Sequence, residues 1–209
     1  MNDSSTERPS ITPGRIFHLV ASCVVLGAGV ALFLLASLGS DGYSTLISGI
    51  TDTSGLPFMV VNISVGVVFV IMAWLRGTRP GLGTVTQPVV VGLTVSLLLA
   101  WLDTPDSMAT RIVMLIAAVP VLAIGVAGYL GSGTGAGPAE AAALAWDPPV
   151  PFRWSYSILQ GGGALVGWLL GGAVGPGTIL VILVLGPAID LATRRVPGLV
   201  HDRATQPAL

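Results

Sequence analysis

The second half of this chain repeats the first at a shift of 94 residues, the step from Pro57-Phe58 to Pro151-Phe152. Trp74-Leu75 returns as Trp168-Leu169. Gly77, Gly81, Gly83 and Thr84 return as Gly171, Gly175, Gly177 and Thr178, and Gly92 returns as Gly186. One shift without a gap matches all of these positions, which points to an internal duplication. The repeated unit is apolar throughout and is predicted to hold three membrane spans. Two consecutive units with an odd number of spans enter a bilayer with opposite orientations, the inverted-repeat plan of many secondary transporters.

Only 9% of the residues are charged and the mean hydropathy is +0.86. Soluble domains carry about a quarter charged residues, so this chain lacks the means to cover its surface in water. The net charge of -1 offers no basic patch for nucleic acid. The single Cys23 lies in an apolar run and no Cys/His cluster has metal-ligand spacing, so neither a cofactor nor a metal is expected.

A span needs about 20 mostly apolar residues. Six segments are predicted: Ile16–Leu38, Pro57–Leu75, Gly83–Leu102, Arg111–Leu130, Trp154–Gly171 and Gly177–Thr193. With six spans, Arg8, Arg15, Arg76, Arg79, Arg153, Arg194, Arg195 and Arg203 all fall on one side, and only Arg111 on the other. The positive-inside rule then puts both termini in the cytoplasm of a bacterial plasma membrane. The expected organisation is a cytoplasmic tail over 1–15, a three-span repeat over 16–102, an external loop over 103–110, the inverted repeat over 111–193 and a second tail over 194–209. The fold class is all-α and polytopic.

Each repeat places a glycine-rich stretch after its first span: LGSDGYST at Leu38–Thr45 and LGSGTGAGPAE at Leu130–Glu140. A short helix is predicted after each, Tyr43–Ile50 and Pro138–Trp146, too short to cross the membrane. Either it lies in the interface as an elbow, or it enters the membrane and lines a cavity, since irregular backbone is tolerated there only against protein or water. The tight turns GLGT and GPGT then open the third span of each repeat, with Thr84 and Thr178 placed to cap the new helix. Gly42, Gly83, Gly137 and Gly177 are the structural glycines of these turns.

The polar residues of the apolar segments are the candidates for lining a solute or ion path. Asp41, Ser44 and Thr45 follow the first glycine-rich stretch; Thr134 and Glu140 belong to the second. Glu140 either stabilises a helix start or forms a proton or cation site. Thr84 and Gln87, with Thr94, fall near one face of the third span, suited to interhelical hydrogen bonds or to a substrate path. Asn62 and Tyr156 are equivalent under the 94-residue shift and are candidates to converge. Thr178 mirrors Thr84. Asp190 sits four residues before Arg194, where an ion pair or a coupling-ion role fits.

The strings GTGAGPAEAAALA, RPGLGTVTQPVVVGLTVS and GPGTILVILVLGPAIDL resemble the motifs of the YczE/YyaS/YitT group of bacterial membrane proteins, over about Val30 to Leu191. The resemblance implies a small multi-span protein without an assigned chemistry. This chain departs from the group at Tyr43-Ser44-Thr45, where the pattern has Pro-Trp and an acid or amide. The expected function is transport of a small neutral, zwitterionic or anionic solute by a protein whose partners are the lipid bilayer and that solute. Further copies of the chain or another membrane complex are open as partners. A non-transporting scaffold or substrate-capture subunit is the alternative. An intramembrane enzyme ranks last, because no nucleophile or metal motif is present.

Overall fold

The computed structural model describes residues 12–78, 80–146, 149–150 and 152–195, and these form eight helices with no strand among them. They are α1 (Pro13–Ala36), α2 (Gly42–Ser54), α3 (Phe58–Leu75), α4 (Leu82–Trp101), α5 (Met108–Gly131), α6 (Pro138–Leu144), α7 (Phe152–Leu169) and α8 (Pro176–Arg195). Helices α1, α3, α4 and α5 are long and apolar enough to cross a bilayer, with segment hydropathies of 2.6, 2.4, 1.7 and 2.4. They mark the chain as a membrane protein. Their outer faces carry the residues a soluble protein would hide: Leu75 is 82% exposed and Trp101 84%.

The fifth and sixth segments are helical, and the fifth does not reach the same hydropathy. Helix α7 has the length of a span, yet Ser155, Tyr156, Gln160 and the run Gly161–Gly163 interrupt its apolar character. Helix α8 is described with its side chains continuously only over Pro176–Leu185, and that stretch is apolar. The reason in α7 is inward polarity, because Tyr156 and Gln160 face the interior while Ile158, Leu165 and Leu169 face outward.

Helix α1 starts at Pro13, whose missing amide costs nothing at a helix start, behind Thr12, whose hydroxyl accepts the Arg15 amide at 3.4 Å. It pairs with α5 in antiparallel fashion. Gly125 sits against Leu26 and Gly29 against Leu122, so close that a Cβ at Gly29 would lie 2.8 Å from the Leu122 amide nitrogen. At one end of this pair Arg111, in the first turn of α5, donates to the α1 carbonyls of Ala36 at 2.7 Å and Ser37 at 2.9 Å. At the other end the Arg15 guanidinium lies beside Gly133, just past the end of α5. A cation at a helix C-terminus is favourable, and the two arginines sit at opposite ends of one pair.

The remaining packing is paired in the same way. Helix α4 packs on α1 as α8 packs on α5; α6 packs on α3 as α2 packs on α7. Helices α2 and α7 run in the same direction, since Tyr43 meets Gln160 and Thr53 meets Leu170. The loops interlock across the halves. The Gly83 amide donates to the Thr134 carbonyl at 2.9 Å, and the Gly177 amide to the Leu38 carbonyl at 2.8 Å.

Two expectations change. The short helices start 96 residues apart, with N-caps at Asp41 and Gly137, whereas α3 and α7 start 94 apart, at Phe58 and Phe152. The single ungapped shift therefore holds for the later part of each half, and two residues are absorbed between each short helix and its successor. Their lengths also differ from expectation. Helix α2 runs on to Ser54, where Gly55 closes it in the left-handed conformation at φ 70. Helix α6 ends at Leu144, ahead of the consecutive prolines Pro148-Pro149, which disfavour helix before them.

Candidate functional site

The site begins with the two short helices, because each brings a carboxyl group to its own first turn. Asp41 is the N-cap of α2, and its Oδ2 accepts the Ser44 amide at 3.0 Å. Such a cap satisfies one of the four donors that a helix start leaves without partners. Glu140 occupies the third position of α6, after the N-cap Gly137 and Pro138. Ser44, and not Thr45, is thus the positional counterpart of Glu140.

Both carboxyl groups line one cavity of about 60 Å³ at the meeting point of the two halves. Ser44, Asn62 and Gln87 line it from the first half, and Tyr156 and Gln160 from the second. The opposite wall is aliphatic, formed by Leu26 and Val30 of α1 with Leu122 and Val126 of α5. No described lining residue carries a positive charge. Asp41 and Glu140 have no third His, Cys, Asp or Glu beside them among the described residues that would complete a metal-binding group.

The polar wall is held by hydrogen bonds between elements. Gln160 accepts the Tyr43 amide at 2.8 Å through Oε1 and donates to the Tyr156 hydroxyl at 3.1 Å through Nε2. One side chain of α7 thereby ties down the first turn of α2. Asn62 Nδ2 donates to the Pro88 carbonyl at 2.7 Å, which fixes α3 against the proline-bearing stretch of α4. The Tyr43 hydroxyl donates to the Asn62 carbonyl at 3.4 Å, and its ring packs on Phe69 at 5.7 Å between centroids.

Gln87 Oε1, a buried polar atom on the cavity wall, has no partner. Tyr129 is 0% exposed. Glu140 Oε2, the Tyr129 hydroxyl and the Gln87 amide carbon all converge on Gly137, lying 2.7, 3.1 and 3.3 Å from where a Cβ at Gly137 would stand. An orphaned polar atom inside a protein is rare and costs about 1–3 kcal/mol, so its place on the wall of this cavity is a feature to explain.

Six residues singled out from the sequence line this cavity: Asp41, Ser44, Asn62, Gln87, Glu140 and Tyr156. Four others serve the loops instead. Thr45 is buried with its hydroxyl 2.9 Å from that of Ser40. Thr84 accepts the Gly81 amide at 3.1 Å and donates to the Ala136 carbonyl at 2.6 Å, so it caps α4 and anchors the second glycine-rich stretch together. Thr134 pairs with the Ser132 hydroxyl at 2.7 Å, and Thr178 accepts the Gly175 amide at 3.4 Å. The side chain of Asp190 lies outside the described residues. Tyr43, Tyr129 and Gln160 were not among the candidates read from the sequence. Gln160 had a signal, standing four residues after Tyr156 on the same helical face; Tyr129, at the end of an apolar span, had none.

A second feature borders the site. An apolar groove of about 510 Å³ lies between α3, α6 and α7, lined by Phe69, Met72, Trp146 and Gly162 among others. The Arg76 guanidinium stacks over Trp146 at 4.3 Å, and its Nε donates to the Ala145 carbonyl at 3.3 Å at the end of α6.

Comparison with known proteins gives one family and one distant relative. The model of a family described as "Family of unknown function (DUF6198)" matches residues 13–194. An uncharacterized protein of Haemophilus influenzae is 25% identical over 189 residues, covering 88% of this chain and 85% of its own length. No solved structure matches.

Proposed function

The chain belongs to the DUF6198 family of unknown function, and we propose that it is a six-span carrier for a small solute, built from two inverted three-span repeats. The cavity carries this reading. Its polar wall is assembled from both halves, and its two carboxyl groups come from the two short helices. Broken or short helices meeting near the middle of a repeat interface are where secondary transporters bind their cargo. The matching helix pairs of the two halves, the antiparallel α1 and α5, and the reciprocal arginine placements support the inverted arrangement. The arginine distribution in the sequence supports cytoplasmic termini. The motifs shared with the YczE/YyaS/YitT group support the class of protein without naming a cargo.

The expected solute narrows. An anion entering this cavity would meet Asp41 and Glu140 with no described positive charge to receive it, so the anionic option is withdrawn. A small neutral or zwitterionic solute remains, and the two carboxyl groups add a cationic one to the expected classes. Chemistry on the solute is not part of the reading. His18, whose Nε2 stands 2.9 Å from the Gly128 carbonyl between α1 and α5, does not line the cavity.

A carrier must open this cavity to each side in turn. Ser44→Cys in a Cys23→Ser background is therefore expected to react with membrane-impermeant thiol reagents added from either side of sealed vesicles. Labelling from one side alone would favour a non-transporting membrane subunit. Glu140→Gln keeps the side-chain shape and is expected to lower transport about tenfold or more with a nearly unchanged melting temperature.

A further inference from the structure

We propose that the Asp41–Glu140 cavity binds a small primary ammonium ion, with its N–H donors on the carboxyl groups and a short alkyl chain against the aliphatic wall. The proposal rests on the cavity of the carrier reading and names the class of solute held there.

Charge is the first reason. Two carboxyl groups face a space with no described cation, and withdrawing carboxylates from water is costly unless a proton or a cation accompanies them. Hydrogen-bond inventory is the second. Three donors near the cavity are already committed: Asn62 Nδ2 to Pro88, Gln160 Nε2 to Tyr156, and the Ser44 amide to Asp41. Acceptor capacity remains on the wall, where Gln87 Oε1 is buried with nothing donating to it. The Tyr129 hydroxyl, fully buried, stands beside Glu140. A guest rich in N–H donors and free of acceptors fits such a wall. An ammonium group has three donors and no acceptor.

Size and shape supply the third reason. A water needs about 10–15 Å³ of such space, so 60 Å³ holds about four to six groups of that size. That suits a short alkylammonium and excludes a nucleoside or sugar. Leu26, Val30, Leu122 and Val126 offer methyl and methylene contacts and no ligand atoms, which suits an alkyl tail better than the complete oxygen shell of a bare metal ion.

The full chain, purified in detergent, is to be melted in methylammonium or propylammonium chloride, with potassium and tetramethylammonium chlorides at equal concentration as controls. At ten times its Kd a primary ammonium is expected to raise the melting temperature by about 3–6 °C over the controls. Tetramethylammonium, which has no N–H, is expected to act like potassium. Asp41→Asn and Glu140→Gln are each expected to weaken the apparent affinity about tenfold or more, and Tyr129→Phe about threefold. If a charge-removing variant fails to fold, Tyr129→Phe and the remaining variant decide. Equal shifts in all four salts, a melting temperature that responds to pH alone, or wild-type affinity in the variants that fold overturns the proposal. An ammonium shift with Ser44→Cys labelled from one side only keeps this site and removes the carrier reading. Labelling from both sides with no ammonium shift does the reverse.

Discussion

The two short helices sit in corresponding places and are held in different ways. Helix α2 is pressed against α7 backbone to backbone. A Cβ at Gly42 would run into the carbonyl oxygen of Gln160, one at Gly49 into that of Gly167, and one at Gly163 would lie 2.7 Å from the carbonyl oxygen of Gly42. Helix α6 meets α3 more loosely. A Cβ at Gly66 would stand 3.4 Å from Pro138 Cγ, an ordinary contact, and the α3–α6–α7 groove lies open alongside. Under the proposed carrier reading, one tight seam and one loose seam are one of two states related by the pseudo-two-fold axis of the repeats. On this account the seams exchange roles as the cavity changes the side it faces.

Breaking the tight seam is expected to have the largest effect. Gly42→Val forces two methyl groups into the Gln160 backbone, which cannot yield as a flexible side chain would. We expect a loss of about 3 kcal/mol or more, read as aggregation on size exclusion or a collapsed melting temperature. Gly167→Ala places a single methyl against the Thr45 carbonyl. It is expected to cost about 1–3 kcal/mol in the same assay.

The next pair sharpens the correspondence of the two halves. Gly77 and Gly171 follow α3 and α7 with φ of 91 and 94, and a Cβ at either would meet nothing within 4 Å. Only backbone strain penalises Ala there, so Gly77→Ala and Gly171→Ala are expected to cost about 1–2 kcal/mol each and to agree closely. Unequal costs would break the equivalence of the two turns. The smallest effect lies on the open side of α7. Gly162 lines the groove with free space around it, so Gly162→Ala is expected to be neutral or to stabilise by about 0.5–1 kcal/mol through helix propensity. Its contrast with Gly167→Ala, five residues along the same helix, measures the difference between the open side of α7 and the side pressed on α2.

Much of this was legible in the sequence because hydropathy and repetition act over whole segments. The helices α1, α3, α4 and α5 announce themselves by sustained apolar runs, and Asn62 with Tyr156 by occupying one repeat position. Polarity turned inward was harder to read. Helix α7 carries Tyr156 and Gln160 on the cavity side, which lowers its mean hydropathy while its outer face remains apolar. The register of the short helices was also hidden. An ungapped match through the later glycines gives no sign of the two-residue difference, so the correspondence of Ser44 with Glu140 emerges only from the geometry. The meeting of the Tyr129 hydroxyl with Glu140 and Gln87 depends on where α5 ends relative to α4 and α6, a three-body arrangement that periodicity does not encode.

The exchange of seams is tested most directly by distance measurement between spin labels in lipid nanodiscs. One protein carries Ser54→Cys and Trp168→Cys across the α2–α7 seam, and a second carries Leu75→Cys and Trp146→Cys across the α3–α6 seam, both in the Cys23→Ser background. All four positions are exposed and lie on or directly beyond the helices concerned. The account predicts two distances for each pair, with the proportions of both pairs shifted by propylammonium. A single distance in each pair, unmoved by propylammonium, would contradict it.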